Sequence, residues 1–210
     1  NAINEDTSVV VDLLQNDTRA DGEALTGATL LSIGAATNGE VEILAQQEVL
    51  TFSGTGDANS AADIEYTLLV DGTEIFHKGL DSENAAAVAN QVISKINNHV
   101  DLNSKVIASS GGDGVVRITA LQAGRPFEVT EENANISVTT AAANGSVRYT
   151  SNENFNGNDS FTYTVANDAE VPSYSSATVR IEVLAVNDGP TTVDDFGTVV
   201  SDAGTSVRVL

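Results

Sequence analysis

The chemistry open to this 210-residue sequence rests on its carboxylates: 30 Asp and Glu stand against 9 Lys and Arg, for a formal charge of −21. There is no Cys, which removes thiolate catalysis, disulfides and Cys-type zinc sites. His77 and His99 are the only histidines, and neither has a nucleophile or a second metal ligand at a recognisable spacing. No serine elbow, phosphate loop or zinc motif is present. Paired carboxylates could act as general acid and base, but so acidic a chain supplies such pairs by number alone. A glycosidase also needs an aromatic cleft, and here only 5% of residues are aromatic with no Trp. The sequence therefore reads as a protein that is not an enzyme.

Cation chemistry remains. Two carboxylates about 4 Å apart repel by roughly 4 kcal/mol at an effective dielectric near 20. A hard cation with six to eight oxygen ligands, Ca2+ above all, reverses the sign of that term. Mg2+ fits less well, because it demands stricter geometry and keeps its waters. The acidity has a second explanation in solubility or a high-salt habitat. On either reading the surface repels nucleic acid and anionic lipid, and no apolar run approaches the ~20 residues that span a bilayer.

The elements that must position these acids are mostly strands. Ser8-Leu14, Leu25-Ile33, Val41-Leu44, Val147-Thr150, Ser160-Ala166 and Ala177-Leu184 are short apolar runs with polar turns between them, the spacing of a β-sandwich. Between residues 45 and 142 the pattern changes. Ser82 to His99 predicts a helix, with Ser82 as its N-cap and Ala85, Val88, Ala89, Val92 and Ile96 on one face. Short strands surround it: Val49-Phe52, Glu65-Val70, Ile75-Lys78, Lys105-Ala108, Val115-Ala120 and Phe127-Thr130. Asp71-Gly72 and Asp113-Gly114 predict hairpin turns, as do Asn38-Gly39 and Asn144-Gly145. The fold class is mainly β: an Ig- or cadherin-like β-sandwich split by a small β-β-α-β-β domain.

Repeats set the boundaries. Thr7-Ser8-Val9-Val10-Val11 is echoed by Thr205-Ser206-Val207-Arg208-Val209, each after an acidic stretch, and Asn187-Asp188-Gly189-Pro190 precedes the second copy as a stop and linker. Ala35-Ala36-Thr37-Asn38-Gly39-Glu40-Val41 likewise resembles Ala142-Ala143-Asn144-Gly145-Ser146-Val147. The expected division is a discontinuous sandwich of 1–44 plus 143–188, an inserted domain of 45–142, and 189–210 as a linker and the first strand of a next repeat.

Three segments carry a family resemblance: Glu5-Asp6-Thr7-Ser8 through Asp12-Leu13-Leu14-Gln15-Asn16-Asp17-Thr18, then Phe155-Asn156-Gly157-Asn158-Asp159-Ser160-Phe161-Thr162-Tyr163, then Val186-Asn187-Asp188-Gly189-Pro190. In this order they resemble the cadherin-like tandem repeats of giant bacterial adhesins, over about half the chain. The resemblance implies type I secretion, repeats-in-toxin parents, stalk building at the cell surface, attachment or biofilm formation, and calcium. One departure is Arg19, which stands where the family's Asp-rich loop carries an acid.

Strand direction predicts where the acids meet. If Ser8-Leu14 runs from the N-terminal to the C-terminal pole, the loop after it shares that pole with the end of Ala177-Leu184 and the start of Ser160-Ala166. Asp17, Asp21, Glu23, Asp159, Asn187, Asp188, Asp194 and Asp195 then form one candidate calcium site at the linker. Asp and Asn are also ordinary turn formers, so the convergence of these residues is what favours ligation. An EF-hand starting at Asp17 fails, with Arg19 third and Ala28 twelfth. The expected partners are neighbouring repeats of the same chain, with no nucleic acid and no direct membrane insertion, in a secreted, surface-bound setting. The alternative is a ligand-binding module, in which the 45–142 domain projects sideways from the stalk and contacts a glycan or protein.

Overall fold

The computed structural model describes residues 2–19, 22–25, 27–53, 64–79, 83–167, 172–190 and 194. The expected Ser82 cap, Asp21, Asp195 and almost all of the expected next-repeat strand lie outside these residues.

In chain order the first strands are β1 (Ala2–Asn4), β2 (Ser8–Asp12), β3 (Thr29–Ile33) and β4 (Gly39–Ile43). A middle set follows: β5 (Gln47–Phe52), β6 (Ile64–Val70), β7 (Thr73–Gly79), α1 (Ala85–Asn98), β8 (Val106–Gly112), β9 (Val115–Ala120), β10 (Val129–Glu131) and β11 (Ile136–Ala142). The last are β12 (Ser146–Ser151), β13 (Gly157–Ala166) and β14 (Tyr174–Leu184).

The first and last sets make two facing sheets, β1-β14-β13-β3 and β2-β12-β4. Alternation decides which side chains meet between them. Phe161, Tyr163 and Val165 on β13, Ile181 and Val183 on β14, and Val147 and Tyr149 on β12 are all buried in one cluster. The Tyr149 and Phe161 rings stack with centroids 6.5 Å apart. This is an Ig-like β-sandwich.

The middle set has its own buried cluster, which shares no residue with the first. Sheets β10-β6-β7 and β11-β5-β9-β8 flank α1, whose Val88, Ala89, Val92 and Ile96 are buried. The helix starts two residues later than the Ser82 cap requires: Asn84 is the N-cap, and its side chain accepts from Ala87 N at 2.9 Å. Asp71-Gly72 closes the β6–β7 hairpin with φ of 49° and 75°, the left-handed pair such a turn demands.

Asn38-Gly39 and Asn144-Gly145 are not hairpin turns. The strands around each lie in different sheets: Asn38-Gly39 is a corner between the two sandwich sheets, and Asn144-Gly145 joins β11 of the middle set to β12 of the sandwich. Gly145, at φ 81°, packs so tightly that a Cβ there would lie 2.5 Å from Leu14 Cγ.

Two strands differ from expectation in their consequence. β1 lies parallel to β14, with Ala2 opposite Glu182 and Asn4 opposite Leu184. β1 and β14 therefore end at the same pole, where Glu5 N donates to Leu184 O at 2.9 Å. β2 starts there, next to Ser151, and runs away from it to Gly145. The other strand is β11. It pairs with β5 while β12 pairs with β4, so the two strands entering and leaving the middle segment continue the sandwich's own β4–β12 pair. Leu44 N donates to Ser146 O between the two ladders. The segment thus leaves from the end of the sandwich, at the pole where β2 finishes, and not sideways from an edge. Leu30 N donates to Gly124 O (2.9 Å) and ties the two parts together.

Candidate functional site

Of the predicted metal ligands, Asp159, Asn187 and Asp188 lie at one pole and Asp17 and Glu23 at the other. At the pole where β14 ends, Asp159 opens the inward-facing side of β13 and is only 6% exposed. Its Oδ1 accepts from Thr37 N (3.2 Å) and Ser160 N (2.8 Å), and its Oδ2 from Asn38 N and Tyr149 OH, both 2.9 Å. A carboxylate has about four acceptor positions, so these donors fill it. Burial alone would push the Asp159 carboxyl up; the bonds from Ser160, Asn38, Tyr149 and Thr37 outweigh burial and bring it below the ordinary value. The same contact, after burial, pushes the Tyr149 hydroxyl up. Asp159 is a strut between the two sheets.

Asn187 and Asp188 are exposed just beyond β14, and Asp194 is exposed as well. The carboxylate that organises this pole is one the ligand set omitted. Glu5 is 5% exposed. Its Oε1 accepts the Val186 N–H, and its Oε2 accepts from Asn156 Nδ2 at 3.4 Å. Beside it Asp6, at φ 59°, accepts from Asn154 N at 2.9 Å. The only signal in the sequence was the acidic pair in front of the Thr7-Ser8 echo.

Asp17 and Glu23 are at the opposite pole. Asp17 Oδ2 accepts from Tyr163 OH at 2.8 Å; burial first, then Asp17, pushes that phenol up to about 12. The loop closes on itself through Arg19 N to Glu23 O (2.8 Å) and Leu25 N to Asp17 O (3.2 Å). Asp159 and Tyr163 are four residues apart on one strand, roughly 13 Å at 3.3 Å per residue, and the Tyr163 side chain reaches still farther from Asp159. The single eight-residue calcium site is therefore corrected: Asp17 and Glu23 cannot share an ion with Asp159, Asn187 and Asp188. The cause is β1. A strand before Ser8 reverses the direction assumed for the first sandwich strand. Among the described residues no three or more His, Cys, Asp or Glu side chains are placed to hold a metal ion.

The histidines are structural. His77 Nε2 lies 2.9 Å from Glu83 Oε2, and its ring stacks on Tyr66 at 6.3 Å. His99 caps α1, and its Nδ1 accepts from Asp101 N at 3.3 Å. Tyr66 is fully buried and Phe127 nearly so, while Phe76 is exposed. A hollow of about 640 Å³ runs beside Phe127 between the sandwich and the middle segment.

Two facing antiparallel sheets, a β1 strand parallel to β14 and an acid-braced pole define an immunoglobulin-like repeat. The profile of the family described as Bacterial Ig domain matches residues 1–77 and 83–182, through both cores. The chain belongs to the bacterial Ig domain family. No curated protein matches it. Among solved structures it is similar to one titled "AvmM Catalyzes Macrocyclization in Alchivemycin A Biosynthesis", at 10% identity and a TM-score of 0.17 over 91% of this chain and 86% of that one. A likeness of that size says nothing about activity. No helix among the described residues is long and apolar enough to cross a membrane.

Proposed function

We propose that this chain is a structural spacer repeat of a secreted bacterial surface protein of the adhesin type, joined end to end with neighbouring repeats. One observation carries the reading: β1 is parallel to β14 and ends level with it. A chain that enters through β1 and leaves through β14 is pulled in opposite directions along the strands. The ladder bonds, Glu5 N to Leu184 O and the Glu5 grip on Val186 N are then loaded together rather than one after another. With 11 residues, β14 gives each repeat roughly 36 Å of sandwich length.

Calcium enters this proposal only at the linker. Asn187, Asp188, Asp194 and Asp195 supply carboxylate and amide oxygens there, the donors a hard cation takes. The middle segment is proposed as a separate module because its buried cluster is its own.

Small-angle scattering of two tandem copies tests the spacer. The maximum dimension should approach twice that of one copy, and chelator should shorten or broaden it if calcium stiffens the linker. A compact pair, with the copies folded onto each other in calcium, would refute a spacer.

A further inference from the structure

A smaller hollow of about 240 Å³ adjoins the large cleft and shares Gln46, Glu48, Pro126, Phe127 and Thr140 with it. Its polar lining is unbalanced. Glu48 is 6% exposed. Its Oε1 accepts from Gln46 Nε2 at 3.2 Å and its Oε2 from Thr140 Oγ1 at 3.0 Å, both uncharged donors. About two of its four acceptor positions stay open, and no Lys, Arg or His pairs with it among the described residues. Asn144 Oδ1 is buried without a hydrogen-bond partner, while its Nδ2 is fixed on Ala28 O at 2.7 Å, so the orphan atom is the acceptor. Asp12 adds a second carboxylate, of which Oδ1 accepts from Leu14 N at 3.1 Å.

Gln46 cannot supply what is missing. Its Nε2 also donates to Phe127 O at 2.8 Å, and its Oε1 accepts from Phe127 N at 3.0 Å. Arg19 lines the large cleft but not this hollow, which has no basic residue in its lining. A buried carboxylate without a counter-charge and a buried acceptor without a donor each cost several-fold in stability. Both are relieved by one guest that brings positive charge and several N–H groups. The remaining wall, Leu14, Pro126 and Phe127, is apolar and suits an aliphatic stem. A metal ion is the weaker match, with only two carboxylates and this apolar wall.

We propose that the hollow at the junction of sandwich and middle segment receives a guanidinium or ammonium group on a short aliphatic stem, the end of a basic side chain presented by a partner protein. The chain's own charge of −21 would draw such a partner in.

The test is an amide-resolved NMR titration of the whole chain with n-butylguanidinium, which carries one charge and so little avidity for the acidic surface. The side-chain amide of Asn144 and the backbone amides of Leu14 and Phe127 should shift together and saturate. Glu48→Gln, which keeps a partner for Thr140 and Gln46, should weaken binding by about tenfold or more, the worth of a charge-assisted hydrogen bond. Asp12→Asn should weaken it as well. A peptide, acetyl-Gly-Gly-Arg-Gly-Gly-amide, should bind at least as tightly as n-butylguanidinium. Any of four results overturns the proposal: no saturable shift at Asn144 in the wild-type chain, shifts of equal size all over the surface, unchanged binding in Glu48→Gln, or the same shifts produced by Ca2+ at lower concentration. Peptide binding weaker than that of n-butylguanidinium would overturn the protein source.

Discussion

Replacing Asp159 by Asn should destabilise the sandwich and leave the middle segment alone. The magnitude follows from its four partners. An amide in place of the carboxylate keeps one acceptor oxygen, which serves two of the donors Thr37 N, Ser160 N, Asn38 N and Tyr149 OH. The other two face an NH2 group. Hydrogen bonds to a charged partner are worth about 1.5–3 kcal/mol each, and an abandoned buried donor costs about 1–3 kcal/mol. A loss of roughly 3–5 kcal/mol is therefore expected. In a double-mutant cycle, Tyr149→Phe should account for about 1.5–3 kcal/mol of coupling with Asp159. The pH dependence has a definite sign. The folded carboxyl sits below its unfolded value, so its contribution is complete above about pH 4 and is lost as the pH falls through the folded value. Urea unfolding at several pH values, followed by amide signals of β13 and of α1, measures all of this. If Asp159→Asn lies within about 0.5 kcal/mol of the wild type at pH 7, or if α1 melts with the sandwich in the variant, the strut reading is wrong.

Four further outcomes are expected. Gly145→Ala should cost more than about 2 kcal/mol in urea unfolding, because the residue is at φ 81° and the new Cβ would press on Leu14. Tyr163→Phe should cost about 1–2 kcal/mol by thermal melting, since it strands the Asp17 carboxylate at the β2-end pole. Residues 45–142 expressed alone should give a well-dispersed amide spectrum, because their core is their own; a collapsed spectrum would argue for one interdependent fold. Saturating calcium should raise the melting temperature relative to excess chelator, and Asp188→Ala should reduce the difference more than Asp113→Ala, an exposed hairpin position; coincident melts would remove calcium from the account.

Much of the fold was readable because it follows from local periodicity. The alternation in Val147-Thr150, Ser160-Ala166 and Ala177-Leu184 and the helical spacing of Val88, Ala89, Val92 and Ile96 place apolar side chains on one face whatever the rest of the chain does. What local sequence does not carry is partner choice. Asn38-Gly39 and Asn144-Gly145 do bend the chain, but a bend does not say which sheet the next strand joins. Asn84 outcompetes Ser82 as the cap because the helix begins where Ala85 can enter the core. β1 is three residues long and shows no alternation, so nothing in Ala2-Ile3-Asn4 announced a strand. Missing it reversed the first sandwich strand and moved Asp17 and Glu23 to the wrong pole. It also hid Glu5, which is buried only because β1 pairs with β14. Nothing in the local pattern of Gln46-Gln47-Glu48 announces the burial of Gln46 and Glu48, which comes with the Phe127 segment bonded to Gln46.

Single-molecule pulling through the two chain ends tests the spacer account most directly. The sandwich should unfold in one high-force event that precedes any lengthening of β14, since the β1–β14 ladder and the Glu5 contacts resist in shear. Glu5→Ala should lower that force, and Tyr163→Phe, at the far pole, should not. Unzipping at low force in the wild type, or a force indifferent to Glu5, would contradict the account.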